Sequence, residues 1–169
     1  MRTLLRMTTI TELRRILESC RTIAVVGLSP QWHRPSFFAA KYMQAHGYRV
    51  VPVNPTASEI LGEPCYASVT LAAQALAAQG RKIDMVDCFR KTDDIAPIAD
   101  EAIAIGAKCL WQQIGVVNEE AAHKVRAAGL DSVMDRCVKI EHARLFGGLG
   151  WFGVNTRVIS SRRPRQLPY

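Results

Sequence analysis

The chain has 169 residues, of which 49% are hydrophobic, and a formal net charge of +7 at pH 7. This length suits one domain, and the composition excludes an intrinsically disordered chain. No apolar run approaches the roughly 20 residues needed to span a bilayer, and polar residues at Thr8, Thr9 and Thr11 interrupt the basic start of the chain before a signal-peptide core could form. We therefore expect a cytoplasmic protein without a membrane partner.

The first elements follow clear patterns. Apolar residues recur at helical spacing over Thr9–Ser19, and a β-branched run at 23–27 then predicts a buried strand that ends at Gly27. After a polar loop, Pro35 suits the first turn of a helix that stops at Gly47. We expect the inner face of this helix to carry Phe37, Phe38, Tyr42 and Met43.

The rest of the chain continues to alternate between strands and helices. Asp93 or Thr92 is the expected cap of the helix that begins near residue 93. The remaining predicted strands are at 48–53, about 59–61, 83–88, 108–112 and 132–134. The remaining predicted helices are at 69–78, about 93–105, 118–128 and 140–146.

This alternation predicts an α/β protein with a doubly wound parallel sheet, Rossmann-like and in a single domain. With the five long strands numbered along the chain, we expect the order 3-2-1-4-5. We divide the chain into an N-terminal helix (1–21), the Rossmann-like domain (22–145) and a C-terminal tail (146–169) that is rich in glycine, aromatic and basic residues.

The tail holds four arginines and no acidic residue, which leaves +3 of the net charge of +7 for the rest of the chain. We favour a solvated terminus over contact with nucleic acid for this basic segment. Its aromatic pair, Trp151 and Phe152, allows packing on the domain, cover for a site, or docking on a second copy or another protein. The sequence leaves these alternatives open.

The five cysteines are scattered, form no C-x-x-C pair and have no histidine at metal-ligand spacing, so neither a disulfide framework nor a metal site is predicted. Cys88 and Cys137 lie near the carboxyl ends of predicted strands, where a ligand thiol could approach. We expect both to be buried and inert, because only an exposed thiol with thiolate character reacts readily. In the last helix, His142 adjoins Glu141, but consecutive helical residues do not face each other, which argues against a catalytic dyad.

In a doubly wound sheet, ligands bind outside the carboxyl ends of the strands, near the point where the strand order reverses. The segments expected there contain hydroxyls, a helix start and the basic residues Arg34, Arg90 and Arg136, a set that suits a phosphate group. Arg90 could equally form an ion pair with Asp93 or Asp94, and Asp87 is expected to accept hydrogen bonds from a neighbouring loop. No nucleophile elbow, Walker motif or zinc-protease helix is present, so no catalytic residue is predicted.

A nicotinamide dinucleotide is the obvious candidate ligand, but two features oppose it. Ser29 and Pro30 stand where the fingerprint of such sites requires further glycines. The second strand ends at Asn54, whereas NAD sites usually place an acidic residue there for the ribose 2′-hydroxyl. These features disfavour a nicotinamide cofactor, and a small NAD(P)-binding oxidoreductase is kept as the alternative.

The ordered motifs resemble those of the small coenzyme A-binding proteins, whose fold is that of the N-terminal domain of the succinyl-CoA synthetase α subunit. The resemblance runs from about residue 22 to 145. The stretches that carry it are Ala24–Ser29, Arg34–Ser36, Val53–Pro55, Ile60–Gly62, Val86–Arg90, Trp111–Val116, Asn118–Ala122 and Met134–Arg144.

The resemblance implies a coenzyme A-binding domain. It implies that Gly27, Ser29, Arg34, Pro35 and Ser36 meet the diphosphate. It does not imply the synthetase's reaction, because the phosphohistidine of that enzyme belongs to a second domain that this chain is too short to contain.

For the rest of the ligand, the resemblance implies two further sets of contacts and leaves open whether the ligand is free coenzyme A or an acyl form. A regulatory module, in which the ligand changes association with a partner, is a second alternative. The implied residues are Asn54 and Pro55 beside the adenosine, Phe89 and Arg90 beside the adenine and 3′-phosphate or the start of the pantetheine arm, and Gln113 and Gly115 further along the arm.

Overall fold

The structure, a computed structural model, describes residues 8–147. A five-stranded parallel sheet forms its centre, in the order β2-β1-β5-β6-β7. Its strands are β1 (Thr22–Val26), β2 (Arg49–Val53), β5 (Met85–Cys88), β6 (Cys109–Gln112) and β7 (Asp131–Val133), and a short antiparallel hairpin is formed by β3 (Glu59–Ile60) and β4 (Glu63–Pro64).

Helices connect these strands. They are α1 (Ile10–Ser19), α2 (Pro35–Ala45), α3 (Val69–Ala77), α4 (Ile95–Ala104), α5 (Glu119–Ala127) and α6 (Val138–Phe146), with a 3₁₀ turn at Thr92–Asp94 before α4. Among the residues described, no helix is both long and apolar enough to cross a membrane. The tail that we predicted at 146–169 falls almost wholly outside the described residues.

The predicted fold class is confirmed, but the predicted strand order is wrong. Numbered along the chain, the five long strands run 2-1-3-4-5, because β5 pairs with β1 rather than lying beyond β2. The chain leaves β2 through the β3–β4 hairpin, and α3 then packs against β1 and β2 on its way back across the sheet. The order therefore reverses between β1 and β5.

Side chains of one strand point alternately to the two faces of a sheet, so β1 contributes to two cores. Ala24 and Val26 join the core under α3, α4 and α5, whereas Ile23 and Val25 join the core under α1, α2 and α6. Both faces of the sheet are thus covered, which explains the near-continuous apolar strands in the sequence.

Local signals fix most helix starts. Thr9 and Glu12 form a capping box at the start of α1, and Pro35 occupies the first turn of α2 as predicted. Two expectations are wrong. Phe38 is 46% exposed, because the small Ala39 and Ala40 let α2 pack closely on the sheet instead. Neither predicted residue caps α4 with its side chain, since the chain enters α4 through the 3₁₀ turn.

Candidate functional site

The loops that follow β1 and β5 meet at the point where the strand order reverses. Gly27 has φ +81°, and a Cβ atom added there would lie 2.4 Å from the carbonyl oxygen of Phe89. The backbone N–H of Phe89 donates to Val26 O at 2.9 Å, and that of Gly27 donates to Val53 O at 2.9 Å. Glycine is therefore required at position 27 both for its backbone conformation and for the close approach of the two loops.

Short hydrogen bonds shape the loop from Gly27 to Ser36. The backbone N–H of Ser29 donates to the Oγ of buried Ser36 at 3.1 Å, and the Oγ of Ser29 accepts from the backbone N–H of Gln31 at 3.1 Å. Arg34 donates through Nε to the Gln31 side chain at 3.2 Å. No side chain caps the N-terminus of α2, so the positive end of the helix dipole lies beside this loop.

The end of β2 supports the same loop. Asn54 donates through Nδ2 to the carbonyl oxygen of Leu28 at 2.9 Å, and its Oδ1 accepts from the backbone N–H and the hydroxyl of Thr56, each at 2.8 Å. The sequence indicated only that Asn54 is neutral. The structure adds that its amide ties β2 to the loop after β1.

A cleft of about 600 Å³ opens beside these loops, over the carboxyl ends of β1 and β2 and between α3 and α4. Of the residues predicted for the site, it is lined by Gly27, Ser29, Asn54, Pro55 and Arg90. The other predicted residues lie outside its lining; they are Arg34, Pro35, Ser36, Phe89, Gln113 and Gly115.

The charges of the cleft come from three carboxylates and one guanidinium. Arg90 forms an ion pair with Asp94 at 3.1 Å, and Asp93 and Glu101 also line the cleft. Glu101 accepts from the backbone N–H and the hydroxyl of Thr70, each at 2.7 Å. Sequence reasoning placed Arg90 beside these aspartates but missed Glu101, because only the packing of α3 on α4 brings it to the cleft.

Asp87 and Gln113 form a buried pair on the opposite face of the sheet. Gln113 donates through Nε2 to Asp87 Oδ1 at 2.6 Å, which confirms Asp87 as a hydrogen-bond acceptor for a neighbouring loop. Burial raises the pKa of Asp87 to about 7, against the opposing effect of that hydrogen bond. Gly115 is further out, where its backbone N–H donates to Asp135 Oδ1 at 2.7 Å.

Only one of the two cysteines near the carboxyl ends of the strands, here called the carboxyl edge of the sheet, is fully buried. Cys88 is buried as expected, and burial raises the pKa of its thiol well above the usual value. Cys137 is half-buried at the start of α6, which corrects the expectation that it is buried. Burial raises its pKa as well, although backbone N–H groups of Ile140 and Lys139 donate to its sulfur.

Three residues named in the sequence analysis lie in α6 or just before it: His142, Glu141 and Arg136. His142 accepts from or donates to the hydroxyl of Tyr42 at 3.0 Å and does not pair with Glu141, in line with a structural role. The guanidinium of Arg136 lies 3.1 Å from the Glu141 carboxylate. Arg136 is thus already neutralised by a carboxylate within the protein.

A doubly wound sheet that carries a cleft and an uncapped helix N-terminus at its switch point defines a class of α/β proteins that take ligands at the carboxyl edge. Within this class, the chain belongs to the family of CoA-binding domains, whose family model matches residues 21–143.

Two individual proteins are similar to this chain over most of its length. The Bacillus subtilis protein YneT, described as uncharacterised, is 38% identical over 132 residues, which are 78% of this chain and 93% of YneT. A hypothetical protein from Pyrococcus horikoshii OT3 is 40% identical, with a TM-score of 0.75 over 82% of this chain and 93% of its own.

The fold also occurs inside a larger enzyme. The acetyl-coenzyme A synthetase 1 of Ca. Korarchaeum cryptofilum, solved with phosphate and ADP, matches with a TM-score of 0.56 at 22% identity, over 68% of this chain and 26% of the enzyme. At that identity the likeness concerns the fold alone.

Proposed function

We propose that this protein binds coenzyme A, free or acylated, without forming a covalent bond to it, at the carboxyl edge of the sheet. Membership of the CoA-binding domain family supports the ligand class. The observation that carries the assignment of the site is the contact between Gly27 and Phe89, which joins the loop before α2 to the cleft in one continuous surface.

The charge distribution suggests how the ligand is divided between these two parts. Asp93, Asp94 and Glu101 outnumber Arg90 in the cleft, so the cleft disfavours phosphate and suits the uncharged adenine base, whose amino group donates to carboxylates. The 3′-phosphate of coenzyme A is then placed outside this acidic cleft. The diphosphate then lies over the start of α2, where the positive end of the helix dipole and the Arg34 guanidinium favour an anion.

We assign the pantetheine arm to the surface beyond the carboxyl end of β6. Gln113 is buried and committed to Asp87, so the arm passes outside it rather than bonding to its amide. Ile114 and Val117 are exposed on either side of Gly115 and offer apolar surface there. Contact with the thiol end is not needed for affinity in this arrangement, which is compatible with both free coenzyme A and acyl forms.

The test is titration calorimetry with coenzyme A. Arg34→Ala removes the cation assigned to the diphosphate, and we expect binding about tenfold weaker, since a charge-assisted hydrogen bond contributes more than 1 kcal/mol. Arg81→Ala, an exposed arginine at the opposite edge of the sheet, is the matched control and leaves the affinity unchanged.

Two results would contradict the proposal. Equal affinities for wild type and Arg34→Ala would remove the diphosphate from the start of α2. A tighter complex with NADPH than with coenzyme A would favour the oxidoreductase alternative. The neutral Asn54 at the end of β2 argues against that alternative, and its side chain is already hydrogen-bonded to the loop after β1.

A further inference from the structure

Asp87 is a buried carboxyl group near the proposed site that no binding contact uses. It is 1% exposed and lies in β5 between Val25 of β1 and Trp111 of β6. Among residues 8–147, its hydrogen-bond partner is the side-chain amide of Gln113, at 2.6 Å. A buried carboxylate without a cationic partner is costly, so such groups are found preferentially where function requires them.

No positive charge compensates Asp87 within the described residues. The ionisable groups that sense its charge are the thiols of Cys88 and Cys109 on the sheet and Cys137 at the start of α6. The arginines of the α6 region are committed elsewhere, because Arg136 and Arg144 both bind Glu141. From α2, the buried residue at the helix start is the uncharged Ser36.

Asp87 is also close to the loop assigned to the diphosphate. It lies opposite Val25, two residues before Gly27. A strand rise of about 3.3 Å per residue and a strand spacing of about 4.8 Å place the Cα atoms of Asp87 and Gly27 within roughly 10 Å of each other. Through protein rather than water, charges at that distance still interact appreciably.

We propose that Asp87 couples ligand binding to proton uptake: a polyanionic ligand at the Gly27–Ser36 loop favours the neutral carboxylic acid, so that coenzyme A binds together with a proton. The inference rests on the proposed function and adds a regulation to it. Because burial already brings the pKa of Asp87 to about 7, the group is partly protonated at neutral pH before the ligand arrives.

The sign of the effect follows from linkage. A ligand charge that raises the pKa of Asp87 further makes the complex bind more protons than the free protein, so affinity rises as pH falls through about 7. At pH 7 the uptake approaches about half a proton for each ligand bound. A pKa increase of about one unit makes binding about tenfold tighter below this range than above it.

The experiment is calorimetric titration with coenzyme A at pH 7 in two buffers of different ionisation enthalpy, which measures affinity and proton uptake together. Asp87→Asn keeps an acceptor for Gln113 and mimics the neutral acid. We expect it to lose most of the uptake and to bind coenzyme A several-fold tighter than wild type at pH 8. The control Asp100→Asn alters an exposed carboxylate of α4 and keeps the wild-type uptake.

A second variant keeps the test decisive if Asp87→Asn does not fold. Gln113→Met removes the donor that lowers the pKa of Asp87, so the midpoint of the pH dependence moves to higher pH. The inference is overturned if wild type takes up no proton, or if the uptake persists in Asp87→Asn and therefore arises from the ligand's phosphates. Absence of coenzyme A binding at every pH overturns the proposed function itself, and this inference with it, and is recognised by the lack of any saturable heat.

Discussion

Gly27 brings the loop after β1 against the loop after β5 because it has no side chain. The nearest atom to a Cβ at this position is the Phe89 carbonyl oxygen, a backbone atom held by its own strand, at 2.4 Å, and the Arg90 side chain follows at 2.9 Å. A side chain would separate the loop proposed for the diphosphate from the cleft proposed for the adenine base. Position 27 therefore determines the continuity of the proposed site.

We expect Gly27→Ala to destabilise the fold by about 2–3 kcal/mol, as the sum of left-handed backbone strain and a clash with backbone. Gly80→Ala is the matched control: Gly80 also has a positive φ, +69°, but nothing lies within 4 Å of an added Cβ. Only the strain remains there, about 1 kcal/mol. Urea unfolding monitored by circular dichroism measures both values, and equal losses would contradict the close approach described for Gly27.

At the residue scale, the sequence predicted the chemical character of the site residues better than the contacts that their side chains make. The residue type at position 54 was enough to argue against an NAD site, but its bond to Leu28 O depends on how β2 lies against β1. The role of Asp87 as an acceptor followed from its position near the carboxyl end of a buried strand. The acidic wall formed with Glu101 was not predicted, because it depends on the packing of two helices.

At the scale of elements, α6 is tied to the sheet through one buried carboxylate. Glu141 has no exposed surface, and its two oxygens meet the guanidinium groups of Arg136 at 3.1 Å and Arg144 at 2.5 Å, whose side chains are 19% and 17% exposed. The carbonyl oxygen of Arg136 in turn accepts from the indole N–H of buried Trp111 at 2.8 Å. The network links α6, the loop after β7 and β6.

Glu141→Gln is expected to destabilise the protein by about 3 kcal/mol, since removal of one partner leaves two poorly solvated cations that repel each other. Glu119→Gln, in the exposed first turn of α5, is the control and costs less than about 1 kcal/mol. Chemical unfolding at neutral pH gives both values. A loss for Glu141→Gln no larger than that of the control would show that solvent, rather than the carboxylate, stabilises the two arginines.

Element types and approximate bounds followed from periodicity and from glycine, proline and threonine signals, because these act within one or two turns of chain. The strand order did not. Whether the chain crosses back over β1 after β2 depends on how α3 packs on β1 and β2, and five apolar strands are compatible with both orders. The exposed Phe38 has a similar origin, because small residues on α2 fill the narrow space above the sheet.

At the scale of the whole molecule, the chain is one doubly wound domain, and the family match spans most of it. The corrected order moves the switch point to the β1–β5 boundary, so the residues after those two strands become neighbours. For this reason Arg90, after β5, joins Gly27, Ser29, Asn54 and Pro55 in the cleft. Those after β6 lie further along the same edge, where only a long ligand reaches both ends.

Native mass spectrometry of the purified protein, with equal amounts of coenzyme A and NADPH added under reducing conditions, tests the central claim most directly. We predict a complex with one coenzyme A, or with one acyl form carried through purification, that survives the reducing agent and contains no NADPH. A complex with NADPH alone, or no complex with coenzyme A at saturating concentration, would contradict the assignment of this carboxyl edge to coenzyme A.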